Sequence, residues 1–217
     1  MKNQTLWLSH ERCLFWEEEK VLILSDLHLG KSGHFRKSGI AIPQGVFKED
    51  LQCLISQIQF FNPAQLLIVG DLFHSSSNKE HDLFIKWRND FPQLVIHLVE
   101  GNHDILHQSF YKEAAIEVHS GEFAMGVFNF CHDISHCSLQ NCGYTFSGHI
   151  HPGILLYGAG RQSLRFPCFY FGKEYAVLPA FGKFTGTYLI RPEEDEQVFA
   201  ILPSEKKGVP GSIMQLQ

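Results

Sequence analysis

Three largely apolar runs in the first half of the chain each end close to a residue that can bind a metal ion. The runs cover residues 21–24, 66–69 and 94–99, and they are followed by Asp26, Asp71 and Asn102. Continuous apolar runs of this length are typical of strands that a sheet buries on both faces. Between them, residues 45–61 and 79–90 repeat apolar side chains at three- and four-residue steps, which predicts two helices. This alternation of strands and helices is typical of a parallel sheet with right-handed crossovers.

The rest of the chain has a different pattern, in which short apolar or alternating segments are separated by turns. Strands are predicted at residues 5–8, 13–16, 123–131, 144–146, 154–157, 166–171, 175–178, 186–190 and 198–201. The segments in the second half predict a second, mainly antiparallel sheet. Two facing sheets with helices outside would form an α/β fold, a four-layer α/β/β/α sandwich. We expect a single domain over residues 1–217, with a frayed polar tail at about 203–217.

The composition narrows the classes of partner and compartment. The formal net charge is −5, whereas proteins that hold nucleic acid by overall charge are basic. Contact with DNA would therefore need a local basic patch or bound metal ions. The chain shows neither a secretory signal pattern nor the ~20 apolar residues of a membrane helix. We therefore expect a cytoplasmic protein without membrane association.

The cysteines give no sign of a zinc site. The six are Cys13, Cys53, Cys131, Cys137, Cys142 and Cys168, and none form a Cys-x-x-Cys pair. Cys131, Cys137 and Cys142 crowd the stretch near His132 but lack the paired spacing of zinc ligands. We interpret these three as reduced structural thiols, which agrees with a cytoplasmic location.

The ends of the predicted strands supply the donors of a metal site. Open α/β sheets bind ligands in the crevice at the carboxyl ends of their strands, so Asp26, Asp71 and Asn102 are expected to converge. Carboxylate, amide and imidazole donors suit Mn²⁺, Fe or Zn²⁺. A carboxylate between two metal ions ~3.5–4 Å apart is the usual arrangement for in-line displacement at phosphorus. Asp71 is the expected bridge, because Gly70 before it allows close backbone approach.

Five short motifs lie in order between residues 26 and 151. They are Asp26-x-His28, Gly70-Asp71, Gly101-Asn102-His103-Asp104, His132 and Gly148-His149-x-His151. Together they resemble the calcineurin-like metallophosphoesterase superfamily. The resemblance implies a first metal held by Asp26, His28, Asp71 and His151, and a second held by Asp71, Asn102, His132 and His149. It also implies that a hydroxide activated by the two divalent metals attacks phosphorus.

His103 lies outside the implied ligand set. The resemblance implies that it faces the leaving-group oxygen as an acid or hydrogen-bond donor, while Asp104 orients it and stabilises its charge. The residues alone leave alternatives open. His103 would otherwise be a structural histidine in a tight turn, and Asp104 a simple turn or cap residue.

A narrower resemblance covers nearly the whole chain. Residues 30–32, 34–45, 70–75, 160–162, 166–169 and 178–186 are similar to segments of the ligase-associated DNA damage response endonucleases called PdeM. This implies DNA as the substrate, Mn²⁺ as the metal with Fe or Zn²⁺ as alternatives, and a role in repair. It also implies association with a DNA ligase, an exonuclease and a DEAD/DEAH-type helicase. One departure is local, since His132-Asp133-Ile134 stands where His-Glu-Pro is expected.

Basic and histidine side chains in the loops are candidates for substrate contacts. The candidates are Lys31, His34, Arg36, His74 and Arg161, with Lys37, Arg165 and Lys183 as further members of a basic rim. Solvated loop charges are the alternative.

Three functions stay open at this point. The first is a phosphodiesterase acting on DNA, and the second is a phosphoesterase acting on a nucleotide or another small phosphate ester. The third is a binding scaffold in a ligase–helicase repair assembly.

Overall fold

The apolar runs of the first half become the central strands of a six-stranded sheet. The computed structural model describes residues 1–30, 46–74, 78–137, 143–158, 160, 162–204 and 209–216. The strands follow chain order as β1 (Leu6–Leu8), β2 (Leu14–Trp16), β3 (Val21–Leu24), β4 (Gln65–Val69), β5 (Val95–Val99) and β6 (Ile116–His119). β1 to β3 pair antiparallel, whereas β3 to β6 pair parallel. The carboxyl ends of β3, β4 and β5 therefore lie at one edge of the sheet.

Three helices in the described part of the chain cover one face of this sheet. They are α1 (Val46–Phe61), α2 (Asn78–Asn89) and α3 (Gln108–Glu113). Sequence reasoning predicted α1 and α2 but missed α3 and β6. Leu54, Phe84 and Tyr111 of the helices pack with Ile68 and Leu98 of the sheet in one buried cluster. Burying a side chain of this size stabilises the fold by ~1.5–3 kcal/mol. No helix among the described residues is long and apolar enough to cross a membrane.

The second half of the chain forms a nine-stranded sheet. Its strands are β7 (Glu122–Met125), β8 (Phe128–Cys131), β9 (Tyr144–Ser147), β10 (Pro152–Tyr157), β11 (Ser163–Phe171), β12 (Tyr175–Val177), β13 (Tyr188–Leu189), β14 (Gln197–Leu202) and β15 (Ser212–Gln215). The order is β13-β10-β11-β12-β9-β8-β7, with β14 on β11 and β15 on β14. Five of the pairings between described strands are antiparallel and three are parallel, which confirms the predicted mainly antiparallel sheet.

Two segments of the second half differ from the prediction. The strand predicted at 123–131 is a hairpin, because Gly126 turns the chain with a φ of 54° between β7 and β8. The predicted frayed tail is wrong over Ser212–Gln215, which pairs antiparallel with β14. Ile213 packs against the core between the sheets and anchors this last strand.

The two sheets face each other across a second buried cluster. Leu67 and Val69 of the first sheet pack there against Phe130, Phe146 and Phe169 of the second. A smaller cluster around Cys168 and Val198 covers the outer face of the second sheet. Within the described ranges, no helix contributes to that smaller cluster. The site described below lies on loops that leave both sheets.

Candidate metal centre

The loops after β3 and β4 run side by side and carry the first predicted donors. The backbone N–H of Asp26 donates to the carbonyl of Gly70 (3.1 Å), and that of His28 donates to the carbonyl of Asp71 (2.8 Å). Asp26, His28 and Asp71 are buried. The loops after β8 and β9 add His132, His149 and His151 from the second sheet. The structure therefore brings donors from both halves of the chain together.

The backbone at this site is largely left-handed. Asp26, His28, Asp71, His149 and His151 have φ values of 52°, 48°, 53°, 69° and 51°. Only a few per cent of non-glycine residues adopt positive φ, and backbone strain of this kind collects at functional sites. The left-handed conformation lets Asp26 and His28 reach the same donor group, while Leu27 between them enters the hydrophobic core.

Two glycines of the motifs allow close approach within the centre. Gly70 has a φ of 79°, and a Cβ atom there would collide with the His132 ring. Gly148 plays the same part before His149, since a Cβ atom there would collide with the Asp26 carboxylate. The close approach predicted for Gly70 is therefore present, and its partner is the His132 ring.

The first donor group consists of Asp26, His28 and His151. The Nε2 atoms of His28 and His151 lie 3.3 Å apart, and that of His151 lies 3.2 Å from Asp26 Oδ1. Asp26 Oδ2 accepts hydrogen bonds from Ser25 Oγ (2.7 Å) and from the backbone N–H of His149 (3.0 Å). Asp26 Oδ1 is buried and accepts no hydrogen bond among the described residues. A buried carboxylate oxygen beside two imidazoles fits a divalent metal ion.

The second donor group is centred on His132. Its Nε2 atom lies 3.1 Å from Asn102 Oδ1, 3.2 Å from His149 Nδ1 and 3.5 Å from Asp71 Oδ2. Its Nδ1 atom lies 3.2 Å from the carbonyl oxygen of Val69, which accepts the Nδ1–H. This hydrogen bond leaves the Nε2 lone pair directed at the other donors, as a metal-binding imidazole requires.

Asp71 stands between the two groups. Its Oδ2 atom lies 3.7 Å from His28 Nε2 and 3.5 Å from His132 Nε2. Its Oδ1 atom accepts a hydrogen bond from the backbone N–H of His103 (2.9 Å). One carboxylate oxygen is therefore fixed by the protein, and the other faces both donor groups.

The buried carboxylates favour a positive charge beside them. Burial raises the pKa of Asp71, but hydrogen bonding to and the charge of His132, with smaller contributions from His103 and His28, outweigh it and lower that pKa to about 2. Burial lowers the pKa of His132, but the carboxylates of Asp71 and Asp26 outweigh it and raise that pKa to about 9. A proton on His132 or a bound cation can balance the negative charge of the carboxylates, so cation binding competes with protonation.

His103 and His74 flank the first donor group. The His103 ring lies 5.5 Å from that of His28 and 4.5 Å from that of His74, measured between ring centroids. His103 is half-buried, and its backbone N–H donates a hydrogen bond to Asp71 Oδ1. The structure thus places the predicted proton donor and one predicted substrate contact, His74, beside the metal-binding residues.

Asp104 has other partners than the predicted one. Its carboxylate accepts hydrogen bonds from the backbone N–H groups of Leu72 (2.9 Å), Phe73 (3.2 Å) and Gly101 (3.0 Å). Among the described residues, no hydrogen bond joins it to the His103 ring. The carboxylate ties the loops after β4 and β5 together, and its orienting role towards His103 stays a prediction. This is the turn role that the sequence left open.

Sequence reasoning missed Asp133, which contacts the centre from the turn after β8. Its Oδ2 atom lies 3.7 Å from His149 Nε2, and its Oδ1 atom accepts the backbone N–H of Ser135 (2.9 Å). Its position directly after His132 was the available signal. The prediction of reduced thiols is wrong for Cys131 and Cys137, which form a disulfide across this turn. Their Cα atoms lie 6.5 Å apart, within the usual range for a disulfide.

An acidic cleft opens at the centre, and a basic cleft lies apart from the donor residues. The acidic cleft, of about 490 Å³, adjoins Asn102 and His132 and is lined by Glu100, Glu122 and Asp133, with no Lys or Arg among its described lining residues. The basic cleft, of about 460 Å³, is lined by Arg12, Arg165 and Lys183, with Glu11 beside them. The predicted contacts Lys31, His34, Arg36, Lys37 and Arg161 lie outside the described residues, as does Cys142.

Comparison with known proteins agrees with this geometry. The family model for calcineurin-like phosphoesterases matches residues 19–160, a range that contains all seven donor residues. No curated protein matches the chain. The solved structure of the nuclease MPE from Pseudomonas putida is 27% identical with a TM-score of 0.79, over 92% of this chain and 94% of that chain. A predicted phosphoesterase from Streptococcus pneumoniae is 10% identical with a TM-score of 0.35, over 90% of this chain and 96% of that chain.

The match over residues 19–160 and the likeness to MPE confirm the predicted fold class, with its two facing sheets. The donor groups around Asp26, Asp71 and His132 fit the metal ions that such enzymes need. The chain therefore belongs to the calcineurin-like phosphoesterase family and is a metal-dependent phosphoesterase.

Proposed function

We propose that this chain hydrolyses phosphodiester bonds of DNA with two metal ions that share Asp71. The observation that carries the proposal is the position of Asp71 Oδ2, which faces His28 at 3.7 Å and His132 at 3.5 Å. A nucleic-acid substrate is supported by the likeness to MPE, which is a nuclease. Diester hydrolysis by in-line displacement is the chemistry for which a shared carboxylate is suited.

Each metal ion would have four protein ligands. The first set is Asp26, His28, Asp71 and His151, and the second is Asp71, Asn102, His132 and His149. When bound, the two ions would supply an activated water molecule and positive charge at the phosphoryl oxygens. Ser25 and Val69 hold Asp26 and His132 in the orientations that such ligation needs.

His103 would assist the leaving group. Its backbone is tied to Asp71 at 2.9 Å, while its half-buried ring lies beside His28 and His74. A ring held there donates a proton or hydrogen bond to the oxygen that leaves phosphorus. His74 would contact the same substrate group, since its ring lies 4.5 Å from that of His103.

The basic cleft offers a path for the sugar-phosphate backbone. The backbone N–H of Gly182 donates to the carbonyl of Asp26 (3.2 Å), so the loop before Lys183 adjoins the centre. Lys183, which lines the basic cleft together with Arg165, therefore follows directly on a residue that contacts the metal-binding loop of Asp26. The acidic cleft beside His132 offers no basic side chain among its described lining residues to a sugar-phosphate backbone, and the second candidate function, a phosphoesterase with a small substrate, does not need one there.

Resemblance alone supports the finer parts of the proposal. These are Mn²⁺ as the metal, a role in DNA repair, and association with a DNA ligase, an exonuclease and a DEAD/DEAH-type helicase. Substrate contacts by Lys31, His34, Arg36 and Arg161 and a cytoplasmic location rest on the sequence pattern.

The test is hydrolysis of bis-p-nitrophenyl phosphate and of single-stranded DNA with Mn²⁺, in protein whose metal content has been measured. Turnover of both is expected, with DNA cleavage reduced in Arg165→Ala and Lys183→Ala and little change on the small diester. Absence of turnover on both, with two ions bound, would refute the proposal. Preference for a phosphate monoester or nucleotide over DNA would establish the second candidate instead.

A further inference from the structure

A second histidine cluster lies on regular strands of the first sheet, outside the loops of the metal centre. It consists of His97 on β5 with Glu117 and His119 on β6. His97 is the direct cross-strand partner of Glu117, and Val99 is that of His119. Because side chains alternate along a strand, all three point to the same face of the sheet.

The donor atoms of this cluster converge. His97 Nδ1 lies 3.1 Å from His119 Nε2 and 3.3 Å from Glu117 Oε2. The three donor atoms all lie within 4.8 Å of one another. Two donors bound at ~2.0–2.1 Å in a tetrahedral site are separated by about 3.3 Å. The spacing within the cluster therefore suits a common metal ion.

A neighbouring strand fixes the protonation of His97. Its Nε2 atom lies 3.1 Å from Gln65 Oε1 on β4, and the amide oxygen accepts the Nε2–H. The Nδ1 lone pair then faces His119 and Glu117. Metal-binding imidazoles almost always donate their other N–H to such an oxygen, which holds the ring in place.

The second sheet holds the histidine rings from the other side. Phe123 of β7 stacks on the His119 ring at 3.7 Å and on the His97 ring at 5.2 Å, between centroids. The His97 side chain is 10% exposed, whereas that of Glu117 is 65% exposed. An ion can therefore enter from solvent past Glu117, and a water molecule can complete its coordination.

Both imidazoles are poised to bind without losing a proton. Burial lowers the pKa of His97, with Glu117 opposing the shift. Burial and the neighbouring His97 lower the pKa of His119, and Glu117 again opposes. Neutral histidines do not oppose a cation, and Glu117 supplies one negative charge.

We infer that His97, Glu117 and His119 form a further metal site, which takes one divalent transition-metal ion of the Zn²⁺ class. Two imidazoles and one carboxylate are ligands that Zn²⁺ favours, whereas Mg²⁺ and Ca²⁺ prefer oxygen. The ion would join the adjacent strands β5 and β6 of the first sheet beneath Phe123 of β7. It takes no part in phosphodiester hydrolysis.

The test is a count of bound Zn²⁺ in the full chain, stripped with a chelator, reloaded and dialysed. Glu117→Gln and His119→Gln are compared with wild type and with His10→Gln, which removes a histidine from the turn between β1 and β2. Each site variant is expected to bind one equivalent less than wild type and the control, and to keep its activity on bis-p-nitrophenyl phosphate with Mn²⁺. Glu117→Gln changes a solvent-exposed side chain and so separates lost binding from lost folding.

The same difference of one equivalent is expected in an Asp71→Asn background, which separates this site from the proposed catalytic centre. Equal Zn²⁺ content in wild type, Glu117→Gln and His119→Gln would overturn the inference. The three side chains would then be a hydrogen-bonded cluster without a metal function.

Discussion

The metal centre and the second histidine cluster both consist of histidine and carboxylate side chains, but these side chains stand on loops in the centre and on regular strands in the cluster. In the centre, five of the seven donor residues have left-handed φ values and stand on loops. In the cluster, His97, Glu117 and His119 stand on the regular strands β5 and β6. In both, a hydrogen bond orients one imidazole: a ring N–H of His132 donates to the Val69 carbonyl, and one of His97 donates to the Gln65 side-chain oxygen.

The two sites treat charge differently. Buried carboxylates raise the pKa of His132 to about 9 in the centre, whereas burial lowers the pKa of His97 in the cluster. The centre therefore has an excess of buried negative charge, which two cations can balance. The difference teaches that clustered histidines do not by themselves mark a catalytic site. Buried carboxylates on left-handed loops at strand ends are the distinguishing feature.

The largest expected effect comes from removing the shared carboxylate. Asp71→Asn keeps the shape of the side chain but removes the charge that faces both donor groups. We expect kcat/KM for bis-p-nitrophenyl phosphate to fall by about 1000-fold, because metal-ion catalysis contributes several kcal/mol. His119→Gln should stay within about twofold of wild type, since the cluster does not act in hydrolysis. Equal losses in the two variants would remove the distinction between the sites.

Replacing His103 should lower turnover without loss of metal. We expect His103→Gln to lower kcat on DNA by about 100-fold, the lower range for a proton donor. The loss should be smaller on bis-p-nitrophenyl phosphate, because p-nitrophenolate leaves without protonation. Metal content, measured in the same samples, should equal that of wild type. An equal loss on both substrates would contradict the role of His103 at the leaving group.

Gly70 tests the close approach of its backbone to the His132 ring in the metal centre. A methyl group at Gly70 meets the His132 ring on a backbone with a φ of 79°. We expect Gly70→Ala to lower the free energy of unfolding by about 1–3 kcal/mol and to weaken binding of the second metal. Gly186→Ala is the matched control, because a Cβ atom at Gly186 meets no atom of the described residues within 4 Å. Urea unfolding curves and metal content that match those of the control would count against this packing.

The two sites should respond to pH in opposite directions in metal-free protein. The raised pKa of His132 contributes stability that is full below its unfolded pKa of about 6.5 and is lost as pH rises through about 9. The lowered pKa of His97 contributes stability that is present above the unfolded pKa and is lost as pH falls through the folded pKa. His132→Gln should therefore reduce the fall in the free energy of unfolding between pH 6.5 and 9 by about 1–3 kcal/mol. His97→Gln should reduce the fall in the same quantity on the acid side. Urea unfolding across pH with a chelator measures both, and unchanged slopes would refute the assignment.

The part of the site that follows from strand order was predictable. Buried runs must become central strands, and parallel strands must end at one edge, so Asp26, Asp71 and Asn102 had to converge. The parallel pairings of β3, β4 and β5 confirm that argument. The left-handed conformations of Asp26 and His149 were beyond prediction, because they follow from tertiary contacts and have no local pattern.

Contacts between distant segments account for what the sequence analysis missed. Asp104 accepts N–H groups from two loops about thirty residues apart in the chain, which no local rule foretells. β15 forms because Ile213 packs against the core between the sheets. The second histidine cluster forms because β6 pairs with β5. The disulfide depends on the turn that brings Cys131 and Cys137 together.

The most direct test of the central claim is anomalous diffraction from crystals grown with Mn²⁺. Two peaks about 3.5–4 Å apart are expected on either side of Asp71 Oδ2. One should lie among Asp26, His28 and His151, and the other among Asn102, His132 and His149. A single peak, or two peaks that do not share Asp71, would contradict the two-metal account.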